Sequence, residues 1–419
     1  MPVRIEEGSF VPDDGHARRA RSAPAARPWG PRRRFVLDVC AGIAFLAAAW
    51  RRAAARTAAP VRPPLVGAIR WDAWQAPHAA TTEAVVRSLS PRAWRDRLPF
   101  FSRVAPDGAV SIDGGTAEVM DRELELAARA GLDYWAFVAY RAEDPMSAGL
   151  DLYLKAQRRR GVRFCLIAEP GLWGGAGKLS EAFARHVELV GHPDHVRVKD
   201  GRPLYFMGFV TDRLLADRWG GAGGLRDAVA EFRRRAVQGG AGNPYVVLMA
   251  RPDPGAQLVA ALGADALGAY AIADPRALAA PYAALARLAE QRWNEMAATG
   301  LDVVPTAMAG WDRRPRVENP VPWERSQRPG EGIDRYYEAP GPAEFGEHVR
   351  RCLAWIRARP AAAAADAALI YAWNEYDEGG WLAPTHPFDD RHLAALRSAL
   401  CKPDTAAAPD APRCVRRAA

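Results

Sequence analysis

Residues 132–168 read LDYWAFVAYRAEDPMSAGLDLYLKAQRRRGVRFCLIA, and this stretch decides the fold class. Its two apolar runs, 132–138 and 162–168, are rich in aromatic and branched residues, which is typical of strands buried on both faces. Between them, residues 149–160 have the apolar spacing of an amphipathic helix. A strand, a helix and a second strand in this order predict two parallel strands joined by a crossover helix.

The same alternation continues along the chain from residue 63. The predicted strands are 65–70, 132–138, 162–168, 203–209, 245–250, 264–270, 303–308 and 368–373. The predicted helices lie near 117–130, 149–160, 179–190, 223–238, 255–262, 278–299, 343–358 and 389–400. Eight such units predict an α/β fold of the (β/α)8 TIM barrel type. The alternative, a doubly wound sheet, would use fewer strands and place a glycine-rich turn after the first one, where this chain has Arg70-Trp71-Asp72-Ala73-Trp74.

The charge of the chain is concentrated at its beginning. Residues 1–62 hold 12 Arg against five acids, whereas residues 63–419 hold 45 basic residues against 44 acids. We therefore expect a basic arm over 1–62, disordered or signal-like, a barrel domain over 63–400, and a Pro/Ala-rich tail over 401–419. Because the predicted domain is nearly neutral, we expect no nucleic acid among its partners.

The arm contains an apolar stretch, residues 35–50, directly after Arg32-Arg33-Arg34. Its 16 residues, interrupted by Asp38, are short of the roughly 20 that a membrane-spanning helix needs. The pattern favours an export signal or a membrane tether, and so a periplasmic, extracellular or membrane-anchored protein. A mis-assigned start, or a plain basic arm on a cytoplasmic protein, stays open. In an exported chain Cys401 and Cys414 could form a disulfide, and two free thiols are the alternative.

Catalytic groups of such a barrel follow the carboxyl ends of its strands. The residues there are unusually aromatic and polar, and flat rings beside carboxylates suit the C–H faces and hydroxyls of sugars. Trp and Tyr are also common at barrel rims as packing residues, so the cluster carries more weight than any member. The candidate glycan-binding residues are Trp71, Asp72, Trp74, Tyr140, Glu169, Trp173, Tyr270, Trp311, Asp312, Asn374 and Trp381.

The most specific segment is 371–381, YAWNEYDEGGW. Glu375 and Glu378 are three positions apart, so that in a tight turn they can project to one side with Cβ atoms about 5 to 6 Å apart. Two carboxylates at about 5 to 5.5 Å are typical of retaining glycoside hydrolases, and a wider gap is typical of inverting ones. One acid of such a pair must keep its proton near neutral pH. The alternative is a solvated acidic turn.

Residues 374–379, NEYDEG, resemble the Asn-Glu-Trp-x-Glu-Gly signature of glycoside hydrolase family 99, the endo-α-mannosidases and endo-α-mannanases. Shorter similarities follow in the family's order: Glu169-Pro170, residues 192–194 and 199–205, and Gly310-Trp311-Asp312 with Arg316. The resemblance implies a (β/α)8 barrel that cleaves α-mannosidic bonds with retention, without a metal, through a 1,2-anhydro sugar. It also implies that Glu375 is the base for the sugar 2-hydroxyl and that Glu378 is the acid for the leaving oxygen.

Departures from the family's pattern concern the substrate rather than the acids. Tyr376 replaces the usual Trp, and Ala383 stands where many relatives carry an acid before Pro384. We therefore predict a retaining, family 99-like hydrolase of α-linked, mannose-like oligosaccharides or polysaccharides, with no cofactor and no metal. The alternative is a glycan-binding or polysaccharide-assembly protein without hydrolysis. A metal-dependent hydrolase is disfavoured because none of the eight His forms a His-x-His pair at a strand end.

Overall fold

The structure is a computed structural model that describes residues 63–400. The predicted arm over 1–62, its export or tether segment at 35–50, and the tail with Cys401 and Cys414 lie outside the described residues and stay predictions. No helix within 63–400 has the length and apolar character that crossing a membrane requires.

Nine parallel strands form one curled sheet with helices around it, a TIM-like α/β fold. The strands are β1 (Leu65–Arg70), β2 (Tyr134–Ala139), β3 (Arg163–Ala168), β4 (Arg202–Met207), β5 (Tyr245–Met249), β6 (Ala266–Gly268), β7 (Asp302–Val303), β8 (Thr306–Met308) and β9 (Ala367–Tyr371). The sheet runs β7-β6-β5-β4-β3-β2-β1-β9-β8, so that the first strand pairs with the last. This order follows the chain without the reversal that a doubly wound sheet requires.

Strands β7 and β8 are two halves of one predicted strand, separated by Val304 and Pro305. Pro305 has no N–H to donate to a ladder, which explains the interruption. Residues 304–305 nevertheless form backbone hydrogen bonds with the strands on both sides. Val304 N donates to Leu267 O at 2.9 Å, and Leu369 N donates to Pro305 O at 3.0 Å. The same segment is thus linked to β6 on one side and to β9 on the other.

The helices match most of the predicted ones within a few residues. They are α1 (Ala80–Leu89), α2 (Ala117–Ala130), α3 (Ala148–Lys155), α4 (Glu181–Val190), α5 (Ala222–Gln238), α6 (Pro252–Leu262), α7 (Tyr282–Ala298), α8 (Arg314–Glu318), α9 (Pro342–Ala358) and α10 (Arg391–Leu400). Helix α1 was not predicted, because its sequence ATTEAVVRSL is rich in β-branched residues and Ala79 before it offers no side-chain cap.

Close packing between strands fixes where the acidic segment begins. The ring of Tyr134 lies across Gly67 of β1, where a Cβ atom would stand only 2.2 Å from it. Its hydroxyl donates to Ala368 O of β9 at 2.8 Å. Only glycine leaves room for this ring, which ties β2, β1 and β9 together directly before the segment that carries the acids.

Candidate active site

The acid pair lies in a tight hairpin just after β9. Residues Asn374–Glu375 pair antiparallel with Gly380–Trp381, and the turn Tyr376–Glu378 connects them. Gly379 ends the turn with a φ of 81°, and a Cβ there would lie 2.4 Å from Asp312 N. Asp312 N in turn donates to Glu378 O at 2.7 Å. The loop after β8 therefore presses against the hairpin and holds its backbone in place.

Glu375 is buried, with 2% of its surface exposed. Its Oε1 accepts a hydrogen bond from the Tyr270 hydroxyl at 2.7 Å, whereas its Oε2 has no hydrogen-bond partner among residues 63–400. Burial, together with the negative charge of Glu378, raises the pKa of Glu375 well above its usual value. Glu375 is therefore the acid that holds a proton most readily.

Glu378 has the opposite electrostatic surroundings. It accepts hydrogen bonds from the Tyr371 hydroxyl and from Arg316, and Arg313 Nε lies 3.3 Å from its Oε1. Burial alone would raise the pKa of Glu378, but the charges of Arg316 and Arg313 and the Tyr371 hydroxyl outweigh it, so the pKa lies below its usual range. Glu378 is therefore ionised at neutral pH.

Arg316, at 4% exposure, is the centre of this charge cluster. Its guanidinium bonds to Asp377 at 2.7 and 3.1 Å, pairs with Glu378, and lies 3.6 Å from Glu375. Glu324 pairs with both Arg316 and Arg313. Four carboxylates therefore share two guanidinium groups, so that negative charge is in excess and a proton on one acid reduces it. This excess of negative charge agrees with the raised pKa of Glu375.

Aromatic side chains predicted from the strand ends surround the cluster. The ring of Trp71 lies 4.9 Å from the Arg316 guanidinium, and its Nε1 donates to the Tyr140 hydroxyl at 2.9 Å. Tyr270 contacts Glu375 directly, and the Trp311 ring lies 5.5 Å from that of Tyr371. Glu169 is exposed directly after β3; burial chiefly raises the pKa of Tyr140, and the charge of Glu169 adds a small part. The structure brings these candidates together.

Three predicted residues have their contacts in the packing layers instead. Asp72 pairs with Arg70 at 2.7 Å, and burial, partly offset by Arg70, raises the pKa of Asp72 to about 6. Trp74 is fully buried against Tyr376. Trp173, also fully buried, donates to His186 and packs against helices α4 and α5.

Asn374, Asp312 and Trp381 support the hairpin. Asn374 Oδ1 accepts from Trp71 N at 2.9 Å, and its carbonyl accepts from Trp74 Nε1 at 2.8 Å. Asp312 pairs with Arg97 and Arg314, whose charges hold its pKa below the usual range despite burial. Trp381 packs on Tyr376 and His392. These residues position the acids and the loop after β8.

Sequence reasoning missed Tyr371, Glu324 and also Trp323, whose ring lies 5.8 Å from that of Trp71 and 5.7 Å from the Arg316 guanidinium. Tyr371 is the last residue of a buried strand, a position that indicates packing rather than contact with an acid. Trp323 and Glu324 belong to the long insertion 309–342, where loop length was the available signal for function.

Among residues 63–400, no cluster of three metal-ligating side chains is present.

No protein-family model matches the sequence, and no curated protein matches it significantly. Among solved structures, the chain is similar to the GH99 endo-α-mannosidase from Bacteroides thetaiotaomicron, at 12% identity and a TM-score of 0.49, covering 80% of this chain and 96% of that one. It is also similar to the β-glucuronidase from Parabacteroides merdae, at 11% identity and a TM-score of 0.40, covering 81% of this chain and 37% of that one. At such low identity the likeness concerns the overall fold alone.

Proposed function

We propose that the chain is a retaining glycoside hydrolase on a closed (β/α)8 barrel, cleaving α-linked, mannose-like glycans with Glu375 and Glu378. Closure is supported by the hydrogen bonds of Val304 and Pro305 to both neighbouring strands. The observation that carries the function is the acid pair itself. Two buried carboxylates share one guanidinium, and their pKa values are displaced in opposite directions.

The charges in the free protein are the reverse of those that the family resemblance implies. Burial and the charge of Glu378 raise the pKa of Glu375, and, despite burial, the charges of Arg316 and Arg313 hold the pKa of Glu378 below its usual range. In this proposal Glu375 gives its proton to the glycosidic oxygen as the bond from C1 to that oxygen breaks. Glu378 takes the proton of the 2-hydroxyl as that oxygen bonds to C1. In the second step, water adds to C1 while giving a proton to Glu375, and the 2-oxygen recovers its proton from Glu378.

The full chain incubated with α-mannan, α-glucan and bacterial polysaccharides should release new reducing ends from an α-linked glycan. Either Glu375→Gln or Glu378→Gln should lower the rate by about 10²- to 10⁴-fold, as expected for loss of a general acid or base. An α-mannosyl fluoride separates the roles, because its leaving group needs no proton. Glu375→Gln should still release a first equivalent of fluoride rapidly and then slow at the step in which water needs Glu375 as a base, whereas Glu378→Gln should lose the rapid release; the reverse result would restore the roles that the resemblance implies.

A second candidate is a glycan-binding or polysaccharide-assembly protein without hydrolysis. The observation that favours it is the engagement of Glu378 by Arg316, Arg313 and Tyr371, which leaves this acid without a free oxygen. Glycan affinity without new reducing ends, unchanged in both Gln variants, would establish this candidate.

We also propose that the chain is exported, since residues 35–50 have a signal-like pattern directly after Arg32-Arg33-Arg34. Intact-mass and amino-terminal analysis of the native protein tests this. A mature chain that begins after residue 50 supports cleavage, and a full-length cytoplasmic chain refutes export.

A further inference from the structure

A cavity lies at the ends of strands β4, β5 and β6. It has a volume of about 760 Å³, within the range of small-molecule sites, and Phe209, Arg251, Tyr270, Asp274 and Arg276 line it. Tyr270 belongs to both places: its ring lines the cavity while its hydroxyl bonds to Glu375. Tyr270 is therefore the residue through which the lining of this cavity touches the acid pair.

The cavity has an aromatic wall that packing does not explain. Phe209 is 49% exposed and holds a left-handed backbone with a φ of 58°, which is unfavourable for a bulky residue. Its ring lies 5.5 Å from the ring of Tyr270, at an interplanar angle of 52°. An exposed aromatic ring in a strained conformation next to Tyr270 provides a surface on which a sugar ring can stack.

The cavity also has excess positive charge. Arg276 pairs with Asp274 at 3.1 Å, and Arg292, a further lining residue, pairs with Glu295 at 3.4 Å. Arg251 is exposed and lines the cavity, and although its charge acts on Asp274, no acid within 63–400 lies within 4.0 Å of its guanidinium. Its planar, permanently charged fork matches the geometry of a carboxylate or a sulfate.

We propose that this cavity is a subsite for an acidic sugar unit, with Phe209 and Tyr270 contacting the ring and Arg251 pairing with its anionic group. The inference rests on the proposed function only in assuming that a glycan crosses the acid pair. The shared chemistry is an anion on a sugar, either the carboxylate of a uronic acid or a sulfate ester.

Calorimetry on full-length chains carrying Glu375→Gln, which suppresses turnover, tests the proposal with matched probes. One pair is α-1,4-linked tetragalacturonate and its carboxyl-reduced form; the other is sulfated and unsulfated α-mannotetraose. We expect at least one anionic member to bind about tenfold or more tightly than its neutral partner at low salt, with the preference reduced at 0.5 M salt. The probe pair that shows the preference identifies the anionic group as a carboxylate or a sulfate.

Arg251→Gln should abolish the preference, and Arg141→Gln is the matched control, because Arg141 is exposed after β2, has no ion pair within 63–400 and lies outside the cavity. Phe209→Asn tolerates the left-handed backbone and should weaken anionic and neutral binding alike. Equal affinity within both probe pairs, a preference that survives Arg251→Gln, or equal losses in the two Arg variants would each overturn the inference.

These outcomes are separable from those of the proposed function. Arg251-dependent binding without new reducing ends in the unmodified chain supports the subsite and refutes hydrolysis. Cleavage of neutral glycans without any anionic preference supports hydrolysis and overturns the subsite.

Discussion

Replacing Glu375 with Gln should stabilise the protein, and the gain should increase with pH. Because burial and Glu378 raise the pKa of Glu375 in the folded state, the folded chain binds one more proton than the unfolded chain between the usual pKa of 4.5 and the raised one. The free energy of unfolding therefore falls as the pH rises through this window. Gln does not titrate, so the variant escapes this loss.

The size of the effect follows from linkage. One proton of difference corresponds to about 1.4 kcal/mol per pH unit, so the gain between pH 5 and pH 7 has an upper limit of about 3 kcal/mol. For a domain of this size, that limit corresponds to a rise in Tm of roughly 4 °C.

Glu378→Gln should behave in the opposite way. The folded-state pKa of Glu378 lies below its usual value, so its contribution to stability is present above pH 4.5 and is lost as the pH falls through the lowered pKa. Losing the bonds to Arg316 and Tyr371 should cost about 1.5 to 3 kcal/mol at pH 7, and the deficit should shrink toward pH 4.

Urea denaturation at half-unit steps from pH 4 to pH 7 measures both variants against the unmodified chain. Glu188→Gln, at an exposed position on α4, controls for the loss of one negative charge. The reasoning is refuted if the stability difference for Glu375→Gln is flat or falls with pH, or if both variants respond to pH with the same sign.

Three further predictions concern neighbouring residues. Arg316→Met should destabilise the fold by about 3 to 5 kcal/mol in urea denaturation, because it leaves Asp377 buried without a positively charged partner among residues 63–400, and adding Asp377→Asn should recover part of the loss. Trp173→Ala should cost about 3 to 5 kcal/mol of stability in urea denaturation without a selective loss of glycan affinity in calorimetry. Trp311→Ala should lower glycan affinity and cost little stability. Equal effects of the two variants would contradict the placement of Trp173 in the core and of Trp311 at the site. Tyr270→Phe removes a hydrogen bond that lowers the pKa of Glu375, so the basic limb of the kcat/KM profile should move to higher pH, and a shift to lower pH would contradict this.

The alternation of apolar runs and amphipathic segments was sufficient to predict the strand order and most helices. Nearly continuous apolar strands such as β3 are distinctive because both their faces are buried. Apolar periodicity could not show that the predicted strand 303–308 is interrupted at Pro305, because the run is mostly apolar on both sides of Pro305. The interruption arises because proline has no N–H to donate to the ladder.

The strand-end rule identified which edge of the sheet carries the site, but not the direction of each side chain. Trp71 and Asp72 are adjacent in the sequence, yet the ring of Trp71 lies against Arg316 while Asp72 turns to Arg70 and packs against Gly149. Trp173 is the last residue of the short turn Pro170–Trp173, and its ring packs against the helices. Such directions depend on long-range partners that local sequence does not specify.

The third acid of the segment, Asp377, adds to the asymmetry that burial and the charge of Glu378 create at Glu375. A lone Arg316 between Glu375 and Glu378 would favour ionisation of both. Asp377 takes two of the guanidinium's short hydrogen bonds, and Glu375 stays 3.6 Å from the same group. Because Asp377 uses much of the positive charge, Arg316 with Arg313 suffices to ionise Glu378 but not its neighbour. The spacing of three acids in four positions therefore displaces the pKa values of Glu375 and Glu378 in opposite directions, which is the asymmetry that the proposed acid and base roles require.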